Sequence, residues 1–150
     1  MTFRLDDDDA LARGYLARLL QYAHSRYRGH VLTFPAGYKA WFDHAAQTYT
    51  QVAEHWEPKI ALGLAYVGHG QDKVKQVFQV GNHTQVDRHF PLVSLPDRPM
   101  YLRSFHDDND VLLAEDLSMR RTKIKRIFEQ APPVETMTLH QHFALGFSER

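Results

Sequence analysis

The stretch 35-PAGYKAWFDHAAQTYTQVAEHWEP-58 carries the most sustained apolar period in the chain. Pro35 sits where a first helical residue is favoured, and Pro58 stands where a helix would stop. Between them Tyr38, Trp41, Phe42, Ala45, Tyr49, Val52, Ala53 and Trp56 recur at three- and four-residue steps, the period of a helix with one greasy stripe. The spacing therefore predicts a long helix whose aromatic stripe lies against a sheet.

Upstream, residues 6–28 repeat the period with Leu11, Tyr15, Leu19 and Ala23, flanked by Leu16, Leu20 and Tyr27. Asp6, Asp7, Asp8 and Asp9 open this segment. They read as caps for free N–H groups at the positive end of a helix dipole, a cation site being their other use. Gly29 follows Arg26 and Arg28, which suits a helix end.

Downstream of Pro58 the period shortens. Ile60–Val67 is apolar on both parities, as in a strand covered on both faces. Val74–Val80 and Thr84–Phe90 read as a hairpin about Gly81-Asn82. Tyr101–Phe105 is a short strand, and Val111–Ala114 a further strand or a helix start. Residues 117–131 read as a helix ended by Pro132-Pro133. Met137, Leu139, Gln141, Phe143, Leu145 and Phe147 then alternate with Thr138, His140, His142, Ala144 and Gly146, the pattern of a closing strand. The expectation is one α+β domain over residues 1–150: two N-terminal helices on a mostly antiparallel sheet, a late helix and a C-terminal strand.

Composition limits the function. At 150 residues, 43% hydrophobic and 24% charged, the chain is globular rather than disordered. Eighteen Lys+Arg balance eighteen Asp+Glu, so no whole-molecule charge grips nucleic acid or an anionic membrane. No apolar run reaches the roughly 18 residues of a spanning helix. Cysteine is absent, which removes disulfides and thiolate chemistry and fits a cytoplasmic protein. Walker, Gly-x-Ser-x-Gly and dinucleotide fingerprints are all missing.

Ten histidines invite acid–base or metal chemistry. On a strand, His140 and His142 would point the same way and serve as a catalytic pair or as ligands for zinc or manganese. His106 and Asp108, in the run His106-Asp107-Asp108-Asn109-Asp110, could join them: His106 in catalysis and Asp108 on the metal. Arg103, like Lys75, would stabilise an anionic substrate. Arg120, Arg121, Lys123, Lys125 and Arg126 make a cationic helix face able to follow a nucleic-acid backbone.

Two readings follow. One is a non-catalytic interaction module (an inhibitor, immunity or accessory protein) that meets a protein partner through Tyr38, Tyr49, Trp56 and the charged blocks of residues 107–126. The other is a small His- or metal-dependent hydrolase or phosphodiesterase acting on a phosphate-containing substrate such as nucleic acid.

Overall fold

A computed structural model describes residues 1–74, 76–96, 98–107 and 117–145; for residues 117, 118, 120 and 121 it describes the backbone alone. Among the described residues eight strands, β1 (Thr2–Phe3), β2 (Ala10–Leu11), β3 (Val31–Thr33), β4 (Ala36–Asp43), β5 (Thr48–Trp56), β6 (Ala65–Tyr66), β7 (Leu92–Ser94) and β8 (Tyr101–Phe105), form two sheets. Three α-helices accompany them among the described residues: α1 (Tyr15–Leu20), α2 (Leu117–Glu129) and α3 (Met137–His142). The α+β class holds.

The first sheet has the order β1-β6-β3-β7 and the second the order β2-β8-β4-β5. In the first, β3 runs antiparallel to β6 and parallel to β7. In the second, β4 runs antiparallel to β5 and parallel to β8, while β2 pairs antiparallel with β8.

The stretch 35–58 is not a helix but the hairpin β4–β5. Its residues are aromatic or β-branched where a strand wants them, and pairing runs from Ala36 opposite Trp56 to Asp43 opposite Thr48. The turn is chemically specified. Asp43 Oδ1 accepts the N–H of Ala45 at 2.8 Å and of Ala46 at 3.0 Å, and Gln47 adopts φ 53°. A bulge between Trp41 and Phe42 shifts the register and breaks strict alternation, which let the segment pass for a helical period.

Other expectations fail for related reasons. The N-terminal helix spans only Tyr15–Leu20, with a 3-10 turn at Ser25–Tyr27, so the two-helix N-terminus is absent. Residues 60–67 are covered on both sides, yet only Ala65–Tyr66 are strand. The proposed hairpin 74–90 is a pair of 3-10 helices, Val77–Val80 and His83–Arg88. The closing strand is replaced by α3, because Leu139 and Phe143, four apart, both enter the core. Tyr101–Phe105 and the helix from residue 117 are found where expected. Val111–Ala114 lies outside the described residues.

The main core joins the two sheets. Leu32 and Ala65 of the first sheet pack with Tyr38, Ala40, Val52 and Leu102 of the second, and with Tyr15, Leu19, Leu139 and Phe143 of the helices. Val31, Leu64 and Tyr66 point the other way, onto Val77, Val80 and Val86 of the 3-10 helices. Double coverage of the first sheet is what the unbroken apolar run of residues 60–67 encodes.

The second sheet keeps its other face, with Lys39, Arg103 and Phe105, for different work. Gly37 is what lets that face close over Tyr101. A side chain at position 37 would meet three carbons of the Tyr101 ring at 2.5 Å. Gly37→Ala is expected to lose roughly 1–3 kcal/mol in urea denaturation, as overpacked cores do. Gly70→Ala, with nothing within 4 Å of the new methyl, should stay within about 0.5 kcal/mol of the parent.

Candidate functional site

A cleft of about 1060 Å³ opens over that second face, between β8, the acidic turn of residues 6–9 and the loop of residues 57–62. Asp6, Asp7, Asp8, Asp9, Arg4, Glu57, His83, Arg103, Ser104 and His106 line it, over a floor that includes Ile60, Leu62 and Phe105. The four aspartates cap no helix. They form the connection between β1 and β2, where a turn closed by the Asp9 N–H on the Asp6 carbonyl turns their carboxylates into the cleft region.

Each acid has its own surroundings. The Arg4 guanidinium meets both Asp6 oxygens at 3.3 Å. Asp8 Oδ2 lies 3.5 Å from His106 Nε2. Asp7 is exposed at the crest of the turn. Asp9 turns inward, and its Oδ1 accepts the Ser104 N–H at 2.9 Å. Burial, with the charges of Asp8 and Asp6 adding to it, raises the Asp9 carboxyl from 3.8 to about 6; the Ser104 N–H and Arg103 pull the other way.

A second chain of contacts leads from the core to Arg103. The Tyr101 hydroxyl lies 3.0 Å from His55 Nδ1 and also reaches the carbonyls of Pro35 and His55 at 3.2 Å. His55 Nε2 lies 3.7 Å from Glu57 Oε2, and the same oxygen lies 3.7 Å from Arg103 Nη1. Burial, then the charges of Arg103 and Lys39, lower the His55 pKa to about 4, so its ring is neutral at pH 7 and its contact with Glu57 is no ion pair. The Arg103 guanidinium also covers the Phe105 ring at 5.3 Å.

Of the residues singled out from sequence, Arg103 and His106 meet in this cleft. His140 and His142 do not line it. They lie on α3, two residues apart and so about 200° around the helix, which removes the shared face that a strand would have given them. The His142 ring packs 5.8 Å from that of Tyr38. Asp108 and Lys75 lie outside the described residues. Among the described residues no group of three or more His, Cys, Asp or Glu converges to hold a metal.

On α2, Lys123 is half-buried while Lys125 and Arg126 are exposed, and Lys125 Nζ lies 3.6 Å from Glu129; the side chains of Arg120 and Arg121 lie outside the described set. Among the aromatics expected at a docking surface, Tyr38 is buried, Tyr49 half-buried and Trp56 exposed. No described helix is long and apolar enough to cross a membrane.

From sequence, Asp8 and Asp9 read first as helix caps and second as a cation site, and Glu57 was not foreseen.

Residues 1–114 match the model of the family described as "Putative rhamnosyl transferase". The chain belongs to that family. The matched stretch contains every residue that lines the cleft, and α2 and α3 follow it. No curated protein and no solved structure matches the chain.

Titration separates the two buried groups. Folded Asp9 holds its proton more tightly than the unfolded chain does, so stability falls as pH rises from about 4 to 6. His55 acts oppositely: the unfolded chain takes up its proton first, so stability rises as pH rises from about 4 to 6.5. Asp9→Asn removes only the first effect and keeps the oxygen that Ser104 meets. It should be the more stable protein at pH 7, by on the order of 1 kcal/mol or a Tm rise of about 2–4 °C. The gap should close below pH 4. A variant no more stable than the parent at pH 7 would show that burial does not strain this carboxylate.

Proposed function

We propose that the cleft binds and activates the substrates of a glycosyl transfer, in which a rhamnosyl group moves from a phosphate-activated donor to an acceptor hydroxyl. The observation that carries this reading is one pocket, inside the family-matched stretch, holding carboxylates of contrasting character beside a guanidinium. In such a transfer the acceptor oxygen bonds to the anomeric carbon. The bond from that carbon to the phosphate oxygen breaks, and its electron pair leaves with the phosphate. The hydroxyl proton must go to a base.

Asp9 suits the base. Its carboxyl titrates at about 6, close enough to neutrality both to be ionised at pH 7 and to accept a proton as the bond forms. The Ser104 N–H fixes one of its oxygens. Arg103 suits the departing phosphate as a fixed cation, oriented by Glu57 on one side and by the Phe105 ring beneath it.

Asp7 and Asp8 offer hard oxygen donors of the type that magnesium or manganese takes. An ion there would be held by one or two carboxylates and completed by substrate phosphates. Bound there, such an ion would neutralise charge on the leaving phosphate. His106, against Asp8, positions that carboxylate.

This reading keeps two features of the phosphoester reading drawn from sequence, an anionic substrate and the use of Arg103 and His106. It replaces the His140/His142 pair with Asp9. Family membership favours it over a non-catalytic docking module, and the absence of cysteine fits a cytoplasmic site of action.

The experiment is a transfer assay in which the protein meets a panel of nucleoside-diphosphate rhamnose donors and sugar acceptors, read by mass spectrometry, with magnesium, manganese or chelator. Turnover should appear with one donor. Arg103→Ala should lower kcat by about a hundredfold or more, and Asp9→Asn should abolish the rise in rate through pH 6. Full activity in both variants would remove the cleft as the reaction site.

A further inference from the structure

We infer that α1 and the turn after it form a docking surface for an anionic lipid bilayer. On α1, Tyr15 and Leu19 are buried in the core, and the Tyr15 hydroxyl donates to the Gly63 carbonyl at 2.7 Å. The neighbouring positions, Leu16 and Leu20, do the reverse. They are 54% and 66% exposed and lie one turn apart on the outer side. Leu20 is the most exposed of the large apolar residues described.

The sequence on either side of this pair is cationic. Between Ala10 and Phe42 the sequence contains no aspartate or glutamate but four arginines, at positions 13, 18, 26 and 28. Arg28 is neutralised by Asp72 at 2.6 Å. Arg13 and Arg26 are exposed, and Arg18 reaches over the Tyr22 ring at 5.5 Å. Arg98 adds another guanidinium, 3.1 Å from where a side chain on Gly14 would begin. Apart from Arg28, held by Asp72, the arginines of residues 10–42 thus have no acid as a neighbour in sequence.

The form of the patch selects the partner. Two leucines projecting from a six-residue helix need no shaped pocket if they enter a soft acyl boundary, and arginines beside them reach headgroup phosphates while their stems stay apolar. Tyr22 and Tyr27, with ring centroids 4.9 Å apart, supply amphipathic rings of the kind that settle at a headgroup level. Each cation adds attraction only when the surface is negative, so a zwitterionic bilayer should not hold the protein.

Co-sedimentation tests this with the whole chain and vesicles of phosphatidylcholine containing about 30 mol % phosphatidylglycerol, against phosphatidylcholine alone, at about 0.15 M salt. The protein should pellet with the anionic vesicles only and be released by high salt. Leu16→Ser with Leu20→Ser should weaken binding at least about tenfold without lowering Tm, since neither side chain is in the core. Arg26→Glu should weaken it as well. Three results would overturn the inference: no pelleting, equal pelleting with phosphatidylcholine alone, or unchanged binding by the double leucine variant. The first would point to an acidic protein partner instead, and the last to adsorption by charge alone.

Discussion

A single hydrogen bond, from the Ser104 N–H to the Asp9 carboxylate, decides how the acidic turn meets the sheet. Strand β2 pairs with β8 only as far as Ala10 opposite Leu102. Continued by two residues, that register would leave the Ser104 N–H facing the same edge without a strand to receive it. An unpaired buried donor is costly, and Asp9 takes it. The side chain thereby substitutes for a missing strand and is drawn under cover, while Asp7 and Asp8 stay outside. One backbone donor thus sorts adjacent, chemically identical residues into different electrostatic settings.

The cost of that arrangement falls on stability and its benefit on chemistry. A carboxylate stabilised only by one N–H and by Arg103 does not recover what burial takes from it, so its proton is held up to near-neutral pH. His55 is displaced in the opposite direction by the same cause, burial, with nearby cations adding to it. Both groups flank β8, Asp9 through Ser104 and His55 through Tyr101, so the strand at the centre of the cleft is bracketed by two groups held away from their solution behaviour. Concentrating such groups around one strand is characteristic of sites that move protons.

What could be read from the sequence divides along physical lines. Tyr101–Phe105 and the helix from residue 117 are legible because one period fits each and prolines bound them. The doubly covered run of residues 60–67 is legible as burial, since apolar residues on both parities have no solvent face in any conformation. The hairpin was hidden because aromatic residues satisfy either period over a short span, and the bulge at Trp41/Phe42 moved the strand pattern toward the helical one. Asp43 and Thr48-Tyr49-Thr50 carried the better signal, a turn acid followed by residues that favour strands. At the C-terminal end, Leu139 and Phe143 fit i,i+4 as well as alternation, and tertiary burial chose the helix. Within the site, Arg103 and His106 could be named from their types, but nothing local to Asp6–Asp9 or Glu57 announces that they converge across the fold.

The last elements of the chain bear on the site without touching it. Leu139 and Phe143 of the α3 segment enter the same core cluster as Tyr38 and Leu102, on the inner face of the sheet whose outer face holds the cleft. Residue 38 pairs with residue 102 in the parallel β4–β8 register, and the next pair along, Lys39 and Arg103, faces out. Side chains that follow the family-matched stretch therefore pack beneath those two strands. A packed interior is dense enough to transmit a change in volume. The family-matched residues thus form the cleft, while Leu139 and Phe143 beyond them pack on the opposite face of the strand that carries Arg103.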